Sequence, residues 1–248
     1  MIPKLIHYCW LSGDAIPEKL QRCMDSWKKH LPDYEFVLWD LNRFDIRRSL
    51  WVQQAFEARK YAFAADYIRL YAVYHYGGIY MDMDVEVLRS FDTLLDADYM
   101  FGLETEEGVE AGIFGAKPYN PYIKKCLDYY EGRTFRKADG SYDMRPLPAV
   151  MYGILSGNYT ILPRATVSLG SGLDAMSLFP VDYFTAKSYE TGKVKVTKNT
   201  YTIHHFAGSW VSPVDKIKER IYKWISKNVF LAWIYDNTYK RIKRLCLD

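Results

Sequence analysis

Cysteine is scarce in this 248-residue chain: four residues, at positions 9, 23, 126 and 246, with no CxxC pair and no regular spacing. That leaves no disulfide framework to read. The opening Met1-Ile2-Pro3-Lys4 runs straight into a strand-like stretch without the pattern of a signal peptide, so free thiols in a reducing compartment and a cytoplasmic location are the expectation. No stretch approaches the roughly 20 apolar residues of a membrane span. The net charge is only +3, which removes any global argument for nucleic acid as a partner. Internal repeats and low-complexity segments are absent too. The length suits one large domain, or a domain with a tail.

Aromatic residues, by contrast, are plentiful at 17%, a composition compatible with stacking on sugars and bases and equally with an aromatic core. The organising stretch is Tyr76-Gly77-Gly78-Ile79-Tyr80-Met81-Asp82-Met83-Asp84-Val85. It reads as a helix end, a two-glycine stop, a short buried strand and two carboxylates one residue apart. In an extended segment, residues i and i+2 share a face, so Asp82 and Asp84 are expected to point at one spot. Two hard oxygen ligands there suit Mn²⁺ or Mg²⁺, whose open positions phosphate oxygens fill. Alone, the pattern also fits a solvated strand end.

Upstream, Tyr61 to Tyr76 has apolar residues at helical spacing and stops at Gly77. Asp66 and Arg69 lie three apart on one face of this otherwise apolar helix. An unpaired buried charge is expensive, so they form either a mutual ion pair or a surface for a polar ligand near the Asp-x-Asp.

With those residues in view, Ala65-Asp66-Tyr67-Ile68-Arg69-Leu70 and the Tyr76 to Asp84 stretch resemble the signature of the family 32 glycosyltransferases, the sugar-binding region containing the DXD motif. The large clostridial glucosylating toxins share it more distantly. Ile2 to Trp10 resembles the family's opening strand, Trp27 with Leu38-Trp39-Asp40 its second block, and Thr202 to Trp210 its closing block. The resemblance implies an α/β fold of GT-A type, a Rossmann-like nucleotide-sugar-binding domain over residues 1–212; the charge pattern beyond it reads as a helical basic tail over 213–248. It implies transfer of a sugar from a nucleoside diphosphate sugar, UDP-linked by preference, with retention, in surface polysaccharide, capsule or oligosaccharide synthesis.

The same resemblance implies the site. Asp82, Asp84 and His205 would hold the cation, His205 being preferred over His204 for its spacing to Gly208. Trp10, Asp66, Arg69, Gly78, Tyr80, Gly208, Ser209 and Trp210 would contact the donor, Trp10 by stacking on the base. Asp66, Arg69, Asp82 and Asp84 make up the catalytic set. Retention makes a separate strong base unnecessary, and none is named. Trp10, however, also suits an ordinary core position, and His7, earlier in the same strand, reads as core.

The rest of the chain reads as helices over Leu20 to His30, Leu50 to Lys60, Pro121 to Glu131 and Pro148 to Gly157, and strands over Leu5 to Leu11, Tyr34 to Trp39, Tyr99 to Leu103 and Gly112 to Ala116. Asp40 and Asn42 follow a strand, where they fit either a ribose contact or a turn. The loop from Glu104 to Glu110 carries four Glu; any of Glu104, Glu106, Glu107 and Glu110 could border an acceptor site. Residues 132–148 are the most loop-like and the expected place for acceptor-specific variation. In the tail, an apolar run from Val229 to Tyr235 is flanked by lysines and arginines. That fits an interfacial segment on the inner face of an anionic membrane, suited to a lipid-linked glycan acceptor, or a helix packed on the domain. Two other classes fit less well. A metal-dependent phosphoester or sugar-nucleotide hydrolase needs further carboxylates, and a silent glycan-binding scaffold has no need of the intact set.

Overall fold

The computed structural model describes residues 1–164 and 175–208. In chain order it contains β1 (Leu5–Cys9), α1 (Glu18–His30), β2 (Glu35–Trp39), α2 (Leu50–Glu57), α3 (Tyr61–Tyr76), β3 (Gly78–Met81), β4 (Val85–Val87), β5 (Tyr99–Met100), β6 (Leu103–Thr105), β7 (Gly108–Val109) and β8 (Ile113–Ala116). Then come α4 (Pro121–Asp128), α5 (Leu147–Ser156), β9 (Thr160–Pro163), β10 (Ala175–Leu178), α6 (Val181–Phe184) and β11 (Thr202–His204). The class is mixed α/β. The main sheet has the order β2-β1-β3-β8-β5; β2, β1 and β3 are parallel, and β8 is antiparallel to both β3 and β5.

Short apolar runs make the central strands because both faces of the sheet are covered: all four residues of β3 and all four of β8 are buried. One apolar cluster joins α2, α3, α4 and α5 through Trp51, Ile68, Phe114, Cys126 and Met151. A second, around Ile6, Trp27, Ile79, Met81 and Phe91, lies under α1. Helix α3 buries nine of its sixteen residues, Asp66 and Arg69 among them, and stops at Gly77, whose φ of +65° glycine adopts without the strain a side chain would bring.

The chain divides into two compact units, Met1–Lys187 with Lys193–Ala207, and Ser188–Gly192 with the residues from Gly208 onward. In the first, His7 is a core residue as expected. Its Nε2–H donates to the Gly77 carbonyl at 2.8 Å, while Nδ1 accepts from the Trp39 indole at 3.1 Å. In the second, the described residues form a turn closed by Gly192 N–H to the Ser188 carbonyl, and Gly208 has φ +61°. Ser209, Trp210 and the basic segment 213–248 lie outside the described residues. Among the described residues no helix is long and apolar enough to cross a membrane.

Candidate metal centre

The central sheet delivers Asp82 to its carboxyl edge, where ligands sit in open α/β sheets. Strand β3 ends at Met81, and Asp82-Met83-Asp84-Val85 then forms a turn, closed by Val85 N–H to the Asp82 carbonyl at 3.0 Å. The extended geometry expected for the Asp-x-Asp is therefore replaced by a turn. The change has a cause: β3 belongs to the main sheet, whereas β4 pairs with β11. The chain must change sheets between the two carboxylates. They converge nonetheless.

Three neighbours hold this corner. Helix α1 reaches β4 through Trp27, whose indole donates to the Val85 carbonyl at 2.6 Å, and Ser26, whose hydroxyl accepts from Val87 N–H at 2.9 Å. The Gly112 carbonyl accepts Asp82 N–H at 2.7 Å. The end of β11 wraps Asp84: His205 N–H donates to its carbonyl at 3.0 Å and Ala207 N–H to its carboxylate at 2.6 Å. Phe206, between them, takes the left-handed value φ +52°, which a bulky residue adopts only where its surroundings require it.

Asp82, Asp84 and His204 each present a ligand atom, all within 4.8 Å of one another. The histidine at the aspartates is thus His204, which corrects the expectation of His205. Adjacent residues at a strand end project to opposite sides, so His204 Nε2 lies 3.4 Å from Asp84 while the His205 ring turns to Glu86, at 2.8 Å. His205 reaches the site by its backbone alone.

Arg69 ties helix to sheet. Its guanidinium lies 3.3 Å from both Asp66 and Asp82, donates to the Ala111 carbonyl at 2.8 Å and covers the Tyr80 ring at 4.6 Å. The Tyr80 hydroxyl donates to Asp82 at 2.7 Å. Of the two alternatives for Asp66 and Arg69, the mutual ion pair is present, and Arg69 joins it to the Asp-x-Asp. Burial pushes the Asp66 carboxyl up to about 7 against the pull of Arg69. It raises Asp82 too, with Arg69 opposing. For Asp84, burial acts upward, but His204 and the Ala207 N–H outweigh it and hold the carboxyl at about 2.

Two expected donor contacts have clear positions. Trp10 follows β1 at the same sheet edge as Asp82, half-buried, its indole donating to the Asp14 carbonyl at 2.7 Å. Gly78 is corrected: it opens β3, at the opposite end of the strand from Asp82. A Cβ there would meet the Leu5 carbonyl at 2.7 Å at a φ of +92°, so close packing of β3 on β1 requires this glycine. Asp40 caps the turn after β2 through the Asn42 and Arg43 N–H groups.

Glu110 was one of four open choices in the acidic loop. Glu106 and Glu107 are exposed, Glu104 is partly buried and Glu110 is fully buried. Burial, then Glu110, pushes Glu104 up to about 7. Glu110 meets His204 Nδ1 at 3.1 Å. Burial disfavours the His204 cation, yet Glu110 and Asp84 outweigh it and hold its pKa well above the ordinary value. Sequence reading left Glu110 as one of four choices for an acceptor site and ranked His204 below His205; the signal lay in the tandem histidines, whose alternation at a strand end it did not resolve.

Residues 17–101 match the family model described as "Glycosyltransferase sugar-binding region containing DXD motif". Inositol phosphoceramide mannosyltransferase 2 of Schizosaccharomyces pombe is 31% identical over 135 residues, 53% of this chain and 39% of that protein. Inositol phosphoceramide mannosyltransferase 1 of the same yeast is 27% identical over 213 residues, 73% of this chain and 66% of that protein. Among solved structures, PaToxG Glycosyltransferase aligns over 63% of this chain and 69% of its own at 19% identity and a TM-score of 0.46. The chain spans about two fifths of the length of the first of these yeast relatives. The matched segment, residues 17–101, contains Asp82-Met83-Asp84, an Asp-x-Asp of the kind for which that sugar-binding region is described.

Proposed function

We propose that the chain is a metal-dependent glycosyltransferase that moves a sugar from a nucleoside diphosphate sugar to a glycan or lipid-linked acceptor. The observation that carries this reading is the convergence of Asp82, Asp84 and His204 within 4.8 Å at the carboxyl edge of the sheet, the two aspartates from the segment that matches the sugar-binding region and the histidine from β11. Two carboxylates and an imidazole fit Mn²⁺; Mg²⁺ prefers an all-oxygen set. Bound there, the cation would act as a Lewis acid, offsetting the charge that the departing diphosphate gains.

The chain's own residues do the rest. Arg69 and Tyr80 fix the Asp82 carboxylate from behind, and the Ala207 N–H fixes that of Asp84. Asp66, beside Arg69, is assigned to sugar hydroxyls, orienting the anomeric carbon. Trp10 is assigned to the base. Reaction with retention lets the leaving phosphate accept the acceptor's proton, so no side chain is given the role of general base.

The yeast relatives are named for mannosyl transfer to inositol phosphoceramide, which favours mannose as the sugar and a lipid-linked acceptor over a capsule. UDP is the nucleotide expected from the sequence, and GDP its competitor. A peripheral position on an anionic membrane surface, facing the cytoplasm, belongs to the same proposal and rests on the basic tail.

The test is nucleotide release from a panel of UDP-, GDP- and CMP-sugars with Mn²⁺ or chelator, beside Asp84→Asn. Slow, Mn²⁺-dependent release from one donor, reduced roughly 100-fold or more in the variant, supports the reading. Absence of both release and metal-dependent donor binding overturns it.

A further inference from the structure

We propose that Glu110 is a positioning residue of the metal centre: its buried carboxylate holds His204 by Nδ1, so that Nε2 is turned to the cation beside Asp82 and Asp84. The proposal rests on the metal-centre reading above and extends it to residues outside the matched signature.

Glu110 is 1% exposed, and a carboxylate so placed is tolerated only when its oxygens are satisfied. They are. His204 Nδ1 lies 3.1 and 3.3 Å from the two oxygens, Gly112 N–H donates at 2.7 Å, and the Thr185 hydroxyl donates from α6's end. Glu110 itself stands outside the group of convergent ligand atoms. An imidazole binds a metal through a lone pair, so the other nitrogen must carry the proton, and a carboxylate at Nδ1 fixes that tautomer and the ring's orientation.

The backbone around Glu110 is shaped for the same end. At Gly112 a Cβ would stand 2.5 Å from His204 Cε1 and 2.9 Å from the Glu110 carboxylate, so any side chain there would part the pair. On the far side the Phe206 ring packs against the imidazole, centroids 4.1 Å apart. The three consecutive residues from Glu110 each hold a different member of the centre: the Glu110 side chain takes His204, the Ala111 carbonyl takes Arg69, and the Gly112 carbonyl takes Asp82 N–H. Through His204, the acidic loop would thus support a bound cation without contacting it.

The experiment is a Mn²⁺ titration, read by loss of the free-ion electron paramagnetic resonance signal, on the full chain as wild type, Glu110→Gln, Gly112→Ala and the exposed-loop control Glu106→Gln. The expected result is wild-type affinity in the control and roughly 10–100-fold weaker binding in the other two. Histidine ¹⁵N spectra of the wild type with Zn²⁺ supply a readout that needs no variant to fold: Nε2 shifts on binding while Nδ1 keeps its proton. Wild-type Mn²⁺ affinity in Glu110→Gln, or Zn²⁺ bound through Nδ1, overturns the role of Glu110. Failure of the wild type to bind any of these ions overturns the metal centre itself, and the proposal with it.

Discussion

Neighbouring histidines divide the work at the end of β11. His204 lies against Asp84 and Glu110, His205 against Glu86. His204→Ala should therefore lower metal-dependent donor turnover by roughly 100-fold or more, while His205→Ala, which keeps the backbone bond to Asp84, should change it less than about 5-fold, since only a half-exposed pair with Glu86 is lost. Steady-state rates at saturating Mn²⁺ for the two variants check this; a reversed order would restore the expectation drawn from motif spacing. That spacing could rank the histidines only by analogy, because what separates them is which side of the strand end each side chain leaves.

His7 makes a different residue-scale prediction. Burial lowers its pKa to about 4, and Arg43 adds to the fall against the Gly77 carbonyl. Both ring nitrogens are committed in the neutral form, one donating and one accepting. The unfolded chain takes up the proton at about 6.5 and the folded chain only near 4, so this group's contribution to stability is present above pH 6.5 and is lost as pH falls towards 4. The loss amounts to about 3 kcal/mol over that window. Urea unfolding at pH 7 and pH 4.5 should show a steeper decline in the wild type than in His7→Gln. Equal declines would contradict the assignment.

Among the elements, α3 and β3 do most to shape the site, and they were also the most legible. The apolar spacing of Tyr61 to Tyr76 and the double glycine marked both, and the observed bounds of α3 coincide with those read from sequence. The two glycines have different duties. Gly77 ends the helix; Gly78 lets β3 lie on β1. Gly78→Ala should cost at least about 2 kcal/mol, from the positive φ and the collision with the Leu5 carbonyl, and leave Mn²⁺ affinity of the folded protein unchanged. Thermal melts with a metal titration test this; lost affinity without lost stability would return Gly78 to the donor site. Arg69→Met strands Asp66 and Asp82 together without a cation, and breaking such a buried pair costs about 3–5 kcal/mol. Its melting temperature should fall far more than that of the surface variant Arg22→Met, whose ion pair with Glu18 is exposed.

Less legible were the elements whose neighbours are distant in sequence. The run from Tyr99 to Leu103 reads as one strand, yet it splits into β5 and β6 because Met100 pairs with Gly115 while Leu103 pairs with Val109. Likewise Asp82 and Asp84 read as one extended strand, and the turn arises only because β4 has a partner in β11, more than 100 residues later. Local pattern records burial and propensity; it does not record which sheet a residue joins.

For the molecule as a whole, the sheet edge, the DXD turn and the end of β11 meet at one point. Three ligand atoms lie within 4.8 Å of one another, braced by Arg69 and Tyr80 at Asp82 and by Glu110 at His204. Such preorganisation is what electrostatic stabilisation of a leaving diphosphate needs.

The most direct measurement is anomalous diffraction from crystals of the full chain grown with Mn²⁺ and a nucleoside diphosphate. The account predicts a single strong peak contacting the Asp82 and Asp84 carboxylates and His204 Nε2, with diphosphate oxygens on the open side of the ion. A peak on His205 and Glu86, or none near Asp82 at saturating Mn²⁺, would contradict it.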